Sequence, residues 1–101
     1  MRTVVVLAEA AEDIEQARDF YDAQEFGAGD YCADSLVADI ASLAFYHGIH
    51  SRHFGFYRML AHRFPFGIYY REPKTETQVF AVLDLHRHPN WIREELTGRN
   101  P

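Results

Sequence analysis

The sequence predicts an α+β domain: an N-terminal strand, an antiparallel helical hairpin packed on a three- to four-stranded antiparallel sheet, and a short C-terminal helix. Three observations predict it. The hydrophobic period changes from strand-like to helical after Leu7 and stays helical to about Leu43. Gly27-Ala28-Gly29 interrupts that stretch and divides it into two helices joined by a very short loop, which must pack antiparallel. Beyond Phe54, three runs rich in aromatic and β-branched residues follow, each bounded by turn chemistry or charge.

Taken in order, Thr3-Val4-Val5-Val6-Leu7 is β-branched and apolar and suits a buried strand. Ala10, Ile14, Ala17, Tyr21 and Gln24 then recur at steps of four and three and trace one helix face. Glu12, Glu15, Arg18, Asp19, Asp22 and Glu25 fall on the other face. No Ser, Thr, Asp or Asn stands between Leu7 and Ala11 to cap this helix. Gly27 suits a left-handed helix end, and Asp30 is the expected cap of the second helix. Cys32, Leu36, Ile40 and Leu43 form the second apolar stripe, with Asp34 and Asp39 off it.

Residues 54–60, 64–71 and 78–85 are the expected strands of an antiparallel meander, and Pro73-Lys74-Thr75-Glu76 is a hairpin connection. Alternation along 64–71 puts Phe64, Phe66, Ile68 and Tyr70 under the helices and Pro65, Gly67 and Tyr69 on the open face. Residues 89–97 read as a terminal helix, with Pro89 near its start and Gly98 at its end. The hairpin should cover one face of the sheet.

Composition bounds the function. The 101 residues are 48% hydrophobic, enough for the core of one domain spanning residues 1–101 and too much for a disordered chain. No apolar run approaches the length that crosses a bilayer, and the N-terminal apolar stretch turns acidic by Glu9 with no cleavage site, so the expectation is a cytoplasmic protein without a membrane partner. Cys32 is the only cysteine, which excludes an internal disulfide and a Cys-rich zinc site and fits a small core residue. The net charge of −5 is unevenly placed: residues 1–49 carry two arginines against ten acids, and residues 50–101 carry eight basic residues against five acids and five of the six histidines. An acidic whole is a poor general binder of nucleic acid, but a basic face in the second half can dock on a polyanion.

Several patterns resemble the RelE/ParE toxin superfamily. Ala10-x-x-Asp13-Ile14 followed by Phe20-Tyr21 is similar to the opening helix of ParE-like members. Arg63-Phe64-Pro65-Phe66-Gly67-Ile68-Tyr69-Tyr70-Arg71 resembles a central strand of that family. Val79 to Pro89, ending in His86-Arg87-His88-Pro89, resembles the strand after it. The resemblance spans about residue 3 to residue 93. It implies the toxin of a type II toxin–antitoxin pair, held in a heteromeric complex by a cognate antitoxin and using no cofactor. It further implies one of two targets: DNA gyrase for ParE-like members, or messenger RNA on the ribosome for RelE-like members. A binding relative of the fold without toxicity is a third possibility.

The RelE-like branch cuts RNA with cations on the sheet, without metal. Carried over by strand alignment, its basic positions fall at Arg58 and Arg87, which keep the charge, and at Leu60 and Gly67, which do not. His86 and His88 stand near enough in sequence to serve as acid or base. The incomplete set favours the ParE-like, gyrase-directed branch, in which the chain is a binding inhibitor. If the chain is a nuclease, Arg58, Arg87, His86 and His88 are the catalytic candidates. Arg63, Gly67, Tyr69, Arg71, Arg87 and Trp91 are the candidates for contact with target or antitoxin, Gly67 because a bare backbone on the open face lets another chain approach. His86 and His88, two apart on an expected strand end, and His50-x-x-His53 have metal-compatible spacing. Asp84 is the one carboxylate near them, no cysteine completes a first shell, and no metal is expected.

Overall fold

A computed structural model describes residues 1–99. Its elements are β1 (Thr3–Val6), α1 (Ala8–Gln24), α2 (Ala28–Ala41) ending in a 3-10 turn (Ser42–Ala44), β2 (Ser51–His53), β3 (Phe56–Leu60), β4 (Phe66–Arg71), β5 (Glu76–Asp84) and α3 (Pro89–Arg99). The strands form one sheet in the order β1-β5-β4-β3-β2. The predicted meander is β3-β4-β5, antiparallel throughout. The sheet has five strands rather than three or four, because β2 adds to β3 at one edge and β1 lies parallel to β5 at the other. Phe54, with φ +56°, and Gly55, with φ +85°, make the two-residue turn between β2 and β3. Both central residues of a type I′ hairpin turn need positive φ, so Phe54 belongs to the turn and not to the strand.

β1 is an edge strand, not the buried one its composition suggests: Val4 and Val5 are half-buried and Val6 is exposed. In the hairpin, Ala10, Ile14 and Ala17 of α1 pack with Cys32, Leu36, Ile40 and Leu43, and these residues sit over Met59, Phe66, Ile68, Tyr70, Val79 and Val82 of the sheet. Gln24 lies off this stripe, exposed. Gly27 is left-handed, φ +89°, as expected. Asp30 does not cap α2. The carboxylate of Asp22, on α1, accepts from the N–H groups of Gly27 (3.0 Å) and Gly29 (3.2 Å), and Asp30 pairs with Arg18 instead.

The opposite face of the sheet has its own core, where Phe56, Tyr69, Phe80, Ala81 and Leu83 meet Ile92 and Leu96 of α3. Between Tyr69 and Tyr70 the register of β4 on β5 slips by one, opposing Tyr69 to Ala81 and Tyr70 to Val79. The extra residue is Phe80. This bulge turns Phe80 and Ala81 to the same side and so feeds α3 with two successive apolar side chains. α3 runs through Gly98 to Arg99, two residues past the expected end. Among the described residues no helix is long and apolar enough to cross a membrane.

Candidate functional site

Two of the basic residues of the second half, Arg58 and Arg87, meet in one cleft beside α3. Arg58, on β3, lies opposite Ser51 of β2 and Tyr69 of β4. Arg87 follows β5 in the turn leading to α3. Arg58 and Arg87 line one cleft of about 290 Å³ together with His53, Tyr69, Leu85 and Pro89. Burial pushes the Tyr69 hydroxyl up from its usual pKa, and the hydrogen bond and charge of Arg58 pull it back. Arg58 is thereby held on Tyr69, with its Nε buried and without a hydrogen-bond partner among the described residues. His53 contacts Ser51 Oγ at 3.0 Å. Its pKa is lowered, first by burial and then by the charge of Arg58, which favours the neutral imidazole. Arg87 is exposed, with its guanidinium stacked 3.8 Å from the centre of the Trp91 ring. The cleft therefore presents two guanidinium groups and one neutral imidazole, a set that attracts an anion and can hold it by charge-assisted hydrogen bonds.

The structure brings together Arg58, Arg87 and Tyr69, with Gly67 beside Arg58 and Tyr69 and Trp91 under Arg87, and places Arg63, Arg71, His86 and His88 outside the cleft. Gly67 is not open to another chain. A Cβ there would meet Leu85 Cδ2 and Tyr69 Cε1 at 3.0 Å and Arg58 Cδ at 3.2 Å, so this chain's own side chains fill the expected space. Tyr69 is 1% exposed and serves as a wall of the cleft and a core residue under α3, not as a contact surface. Arg63 lies in the turn before β4 on the hairpin side, 5.9 Å from the ring centre of Tyr31. Arg71 sits at the far end of β4, over Phe56 at 4.0 Å, and donates from Nε to the Gly55 carbonyl.

His86 and His88 do not alternate along a strand, because β5 ends at Asp84 and the chain turns there. His86 pairs with Asp84 at 3.3 Å. The ring of His88 accepts the Asn90 N–H at 3.0 Å and so caps α3. Neither histidine lines the cleft that holds Arg58 and Arg87; His53 does. The sequence singles out His53 only for its spacing to His50, and its place in the cleft comes from β2. Among the described residues no three His, Cys, Asp or Glu side chains converge as a metal site would need.

Buried polar groups fasten the helical hairpin to the rest of the fold. Asp13 of α1 reaches the sheet and accepts the Val82 N–H at 2.9 Å. It also forms a two-pronged ion pair with Arg99 at the end of α3, at 2.5 and 2.9 Å. Asp39, expected off the buried stripe, is 8% exposed and receives the His62 backbone N–H at 3.0 Å, with the His62 ring 2.8 Å away. A helical hairpin on one face of a five-stranded sheet, with α3 on the other, is an arrangement seen before. It matches a chain of the chromosomal ParDE TA system from P. aeruginosa with a TM-score of 0.74, covering 81% of this chain and 94% of that one.

This chain has the fold of that ParDE chain. The two sequences are 20% identical, so the likeness is one of architecture. No protein-family model matches the sequence, and no curated protein matches it.

Proposed function

We propose that the chain is the toxin of a type II toxin–antitoxin pair, ParE-like in action: it arrests growth in the cytoplasm by binding DNA gyrase, and a cognate antitoxin neutralises it. The observation that carries the reading is the shared fold with a ParDE chain over 94% of that chain's length. The local geometry favours inhibition by binding over RNA cleavage. Cleavage on this sheet calls for a further guanidinium near residue 67, where the backbone is bare and the space is already occupied. Loss of one preorganised donor to a transition-state anion costs about 2.7–4 kcal/mol, roughly a hundred- to thousandfold in rate. A supercoiling assay with purified gyrase tests the proposal. The chain should inhibit supercoiling in proportion to its concentration; full supercoiling at every concentration of folded chain would reject the gyrase target.

One observation favours a second reading, a metal-independent messenger RNA endonuclease acting on the ribosome. Arg58, Arg87 and the neutral His53 meet in a single cleft. In that reading the two arginines hold the scissile phosphate and His53 moves the proton. Primer extension on messenger RNA after induction would show discrete cleavage sites that vanish in Arg87→Ala. Growth arrest that survives Arg87→Ala without any RNA cleavage eliminates this reading and leaves the first.

A further inference from the structure

β1 covers only part of the outer edge of β5. Their pairing stops at Val6 and Val79, and the last backbone bond joins the Leu7 N–H to the Val79 carbonyl at 3.0 Å. β5 continues from Phe80 to Asp84. There, two side chains meet the strand edge in place of a neighbouring strand. The Phe80 carbonyl accepts from Arg99 Nη1 at 3.3 Å, and the Val82 N–H donates to Asp13 Oδ2 at 2.9 Å. Asp13 and Arg99 are in turn locked to each other, both about nine-tenths buried. The pair therefore behaves as a plug on a sheet edge, supplying the acceptor and the donor that a further strand would supply.

A cleft of about 390 Å³ lies along this edge between α1 and α3. Its floor is Val82 to Asp84, and its walls include Glu12, Phe20, Trp91 and Glu95. The charges in it are unequal. Glu12, Asp84 and Glu95 stand beside Asp13, with Glu9 3.6 Å from Arg99. The cations are Arg87, stacked on Trp91, and Arg99 itself. Withdrawal of Arg99 would leave an acidic groove with aromatic walls and a strand edge of five residues, roughly 17 Å long.

We propose that the Phe80–Asp84 edge of β5 is a docking site for an extended cationic peptide segment, which adds as a strand, its backbone taking the Phe80 carbonyl from Arg99 and the Val82 N–H from Asp13, and puts its own arginine or lysine on the Asp13 carboxylate. Backbone pairing supplies affinity that does not depend on sequence, and the carboxylates select the cation. An acidic segment is disfavoured by the excess of like charge from Glu12, Asp13, Asp84 and Glu95. The inference stands whether or not the chain arrests growth.

The test is a titration of the full chain, labelled with nitrogen-15, with two probes: a blocked heptapeptide alternating valine with arginine, and one alternating valine with glutamate. The arginine peptide should shift the amide signals of Val82 to Asp84 and slow their exchange with solvent; the glutamate peptide should not. Arg99→Ala should bind the arginine peptide about tenfold more tightly, because the competing guanidinium is gone, and Asp13→Asn about tenfold more weakly. If Arg99→Ala does not fold, Arg99→Lys, which keeps the charge but loses the two-pronged geometry, should tighten binding in the same direction. The proposal is overturned by shifts confined to the acidic outer face of the hairpin, or by equal binding of both peptides. It is also overturned if Arg99→Ala dimerises in place of binding peptide, which would make a second copy of the chain the occupant.

Discussion

Replacing Asp13 with alanine should destabilise the fold more than any other change to a single surface-proximal acid. The carboxylate is 8% exposed and carries three contacts: the Val82 N–H at 2.9 Å and the two Arg99 nitrogens at 2.5 and 2.9 Å. Removing one partner of a buried ion pair typically costs about 3–5 kcal/mol, because the other charge is left desolvated. Here Arg99 keeps Glu95 at 3.1 Å and the Phe80 carbonyl at 3.3 Å, and the adjoining cleft admits water, so the low end applies, about 3 kcal/mol. Urea unfolding followed by Trp91 fluorescence reads this directly, since Trp91 packs in α3 between Arg87 and the second core. With a slope of about 1.5 kcal/mol per molar urea, the midpoint should fall by about 2 M. Asp13→Asn keeps an acceptor for Val82 and should lose about half as much. In a double-mutant cycle with Arg99→Ala, the two losses should not add, falling short of additivity by more than about 1 kcal/mol. A midpoint for Asp13→Ala within about 0.3 M of the unmodified chain, or strict additivity, would refute the claim that this pair clamps α1 to β5 and α3.

Three further outcomes are expected. Gly29→Ala should destabilise the hairpin by about 3 kcal/mol, since the added Cβ would lie 2.3 Å from the Arg18 carbonyl oxygen and 2.8 Å from Asp22 Cβ, and backbone cannot swing aside; calorimetry showing an unchanged melting temperature would contradict the packing. His50 contacts the Tyr70 hydroxyl, which accepts from the Gly48 N–H, and burial lowers the His50 pKa against a smaller opposing pull from Glu72. The fold thus favours neutral His50, and its contribution is present above the unfolded value of about 6.5 and lost as pH falls through the lower folded value. Urea midpoints should drop between pH 7 and pH 5 more steeply in the unmodified chain than in His50→Gln; parallel curves would show that His50 does not titrate against folding. Gly67→Arg should restore a third cation to the sheet but crowd Tyr69, Leu85 and Arg58. It should therefore lower stability by about 1–3 kcal/mol without creating nuclease activity, which a melting curve and an RNA cleavage assay would together check.

The parts of the fold that were legible in the sequence are those governed by local period. The apolar stripes of both helices, the meander and the face assignment of Phe66, Ile68 and Tyr70 follow from steps of 3.6 and 2. Features set by distant partners were not legible. β1 pairs parallel with β5 across more than 70 residues, and nothing in a short apolar strand announces an edge. Asp13 and Asp39 look like solvated positions until Val82, Arg99 and His62 come round to meet them. β2 was hidden because Phe54 takes a left-handed conformation usually left to glycine or asparagine. The same logic explains the site. Arg58 and Arg87 were placed by alignment, and the cleft does hold both. The openness assigned to Gly67 failed because three side chains from positions 58, 69 and 85 converge on it. His86 and His88 left the site because the strand ends at Asp84 and the chain turns before it reaches either histidine. His53 entered because a three-residue strand delivers it.

The toxin reading is tested most directly by viable counts of a bacterial host carrying the chain under an inducible promoter, with and without the product of the reading frame adjoining its gene. The account predicts that counts collapse on induction of the chain alone and recover when the adjoining product is made in excess. Undiminished growth while the folded chain accumulates in the cell would contradict it.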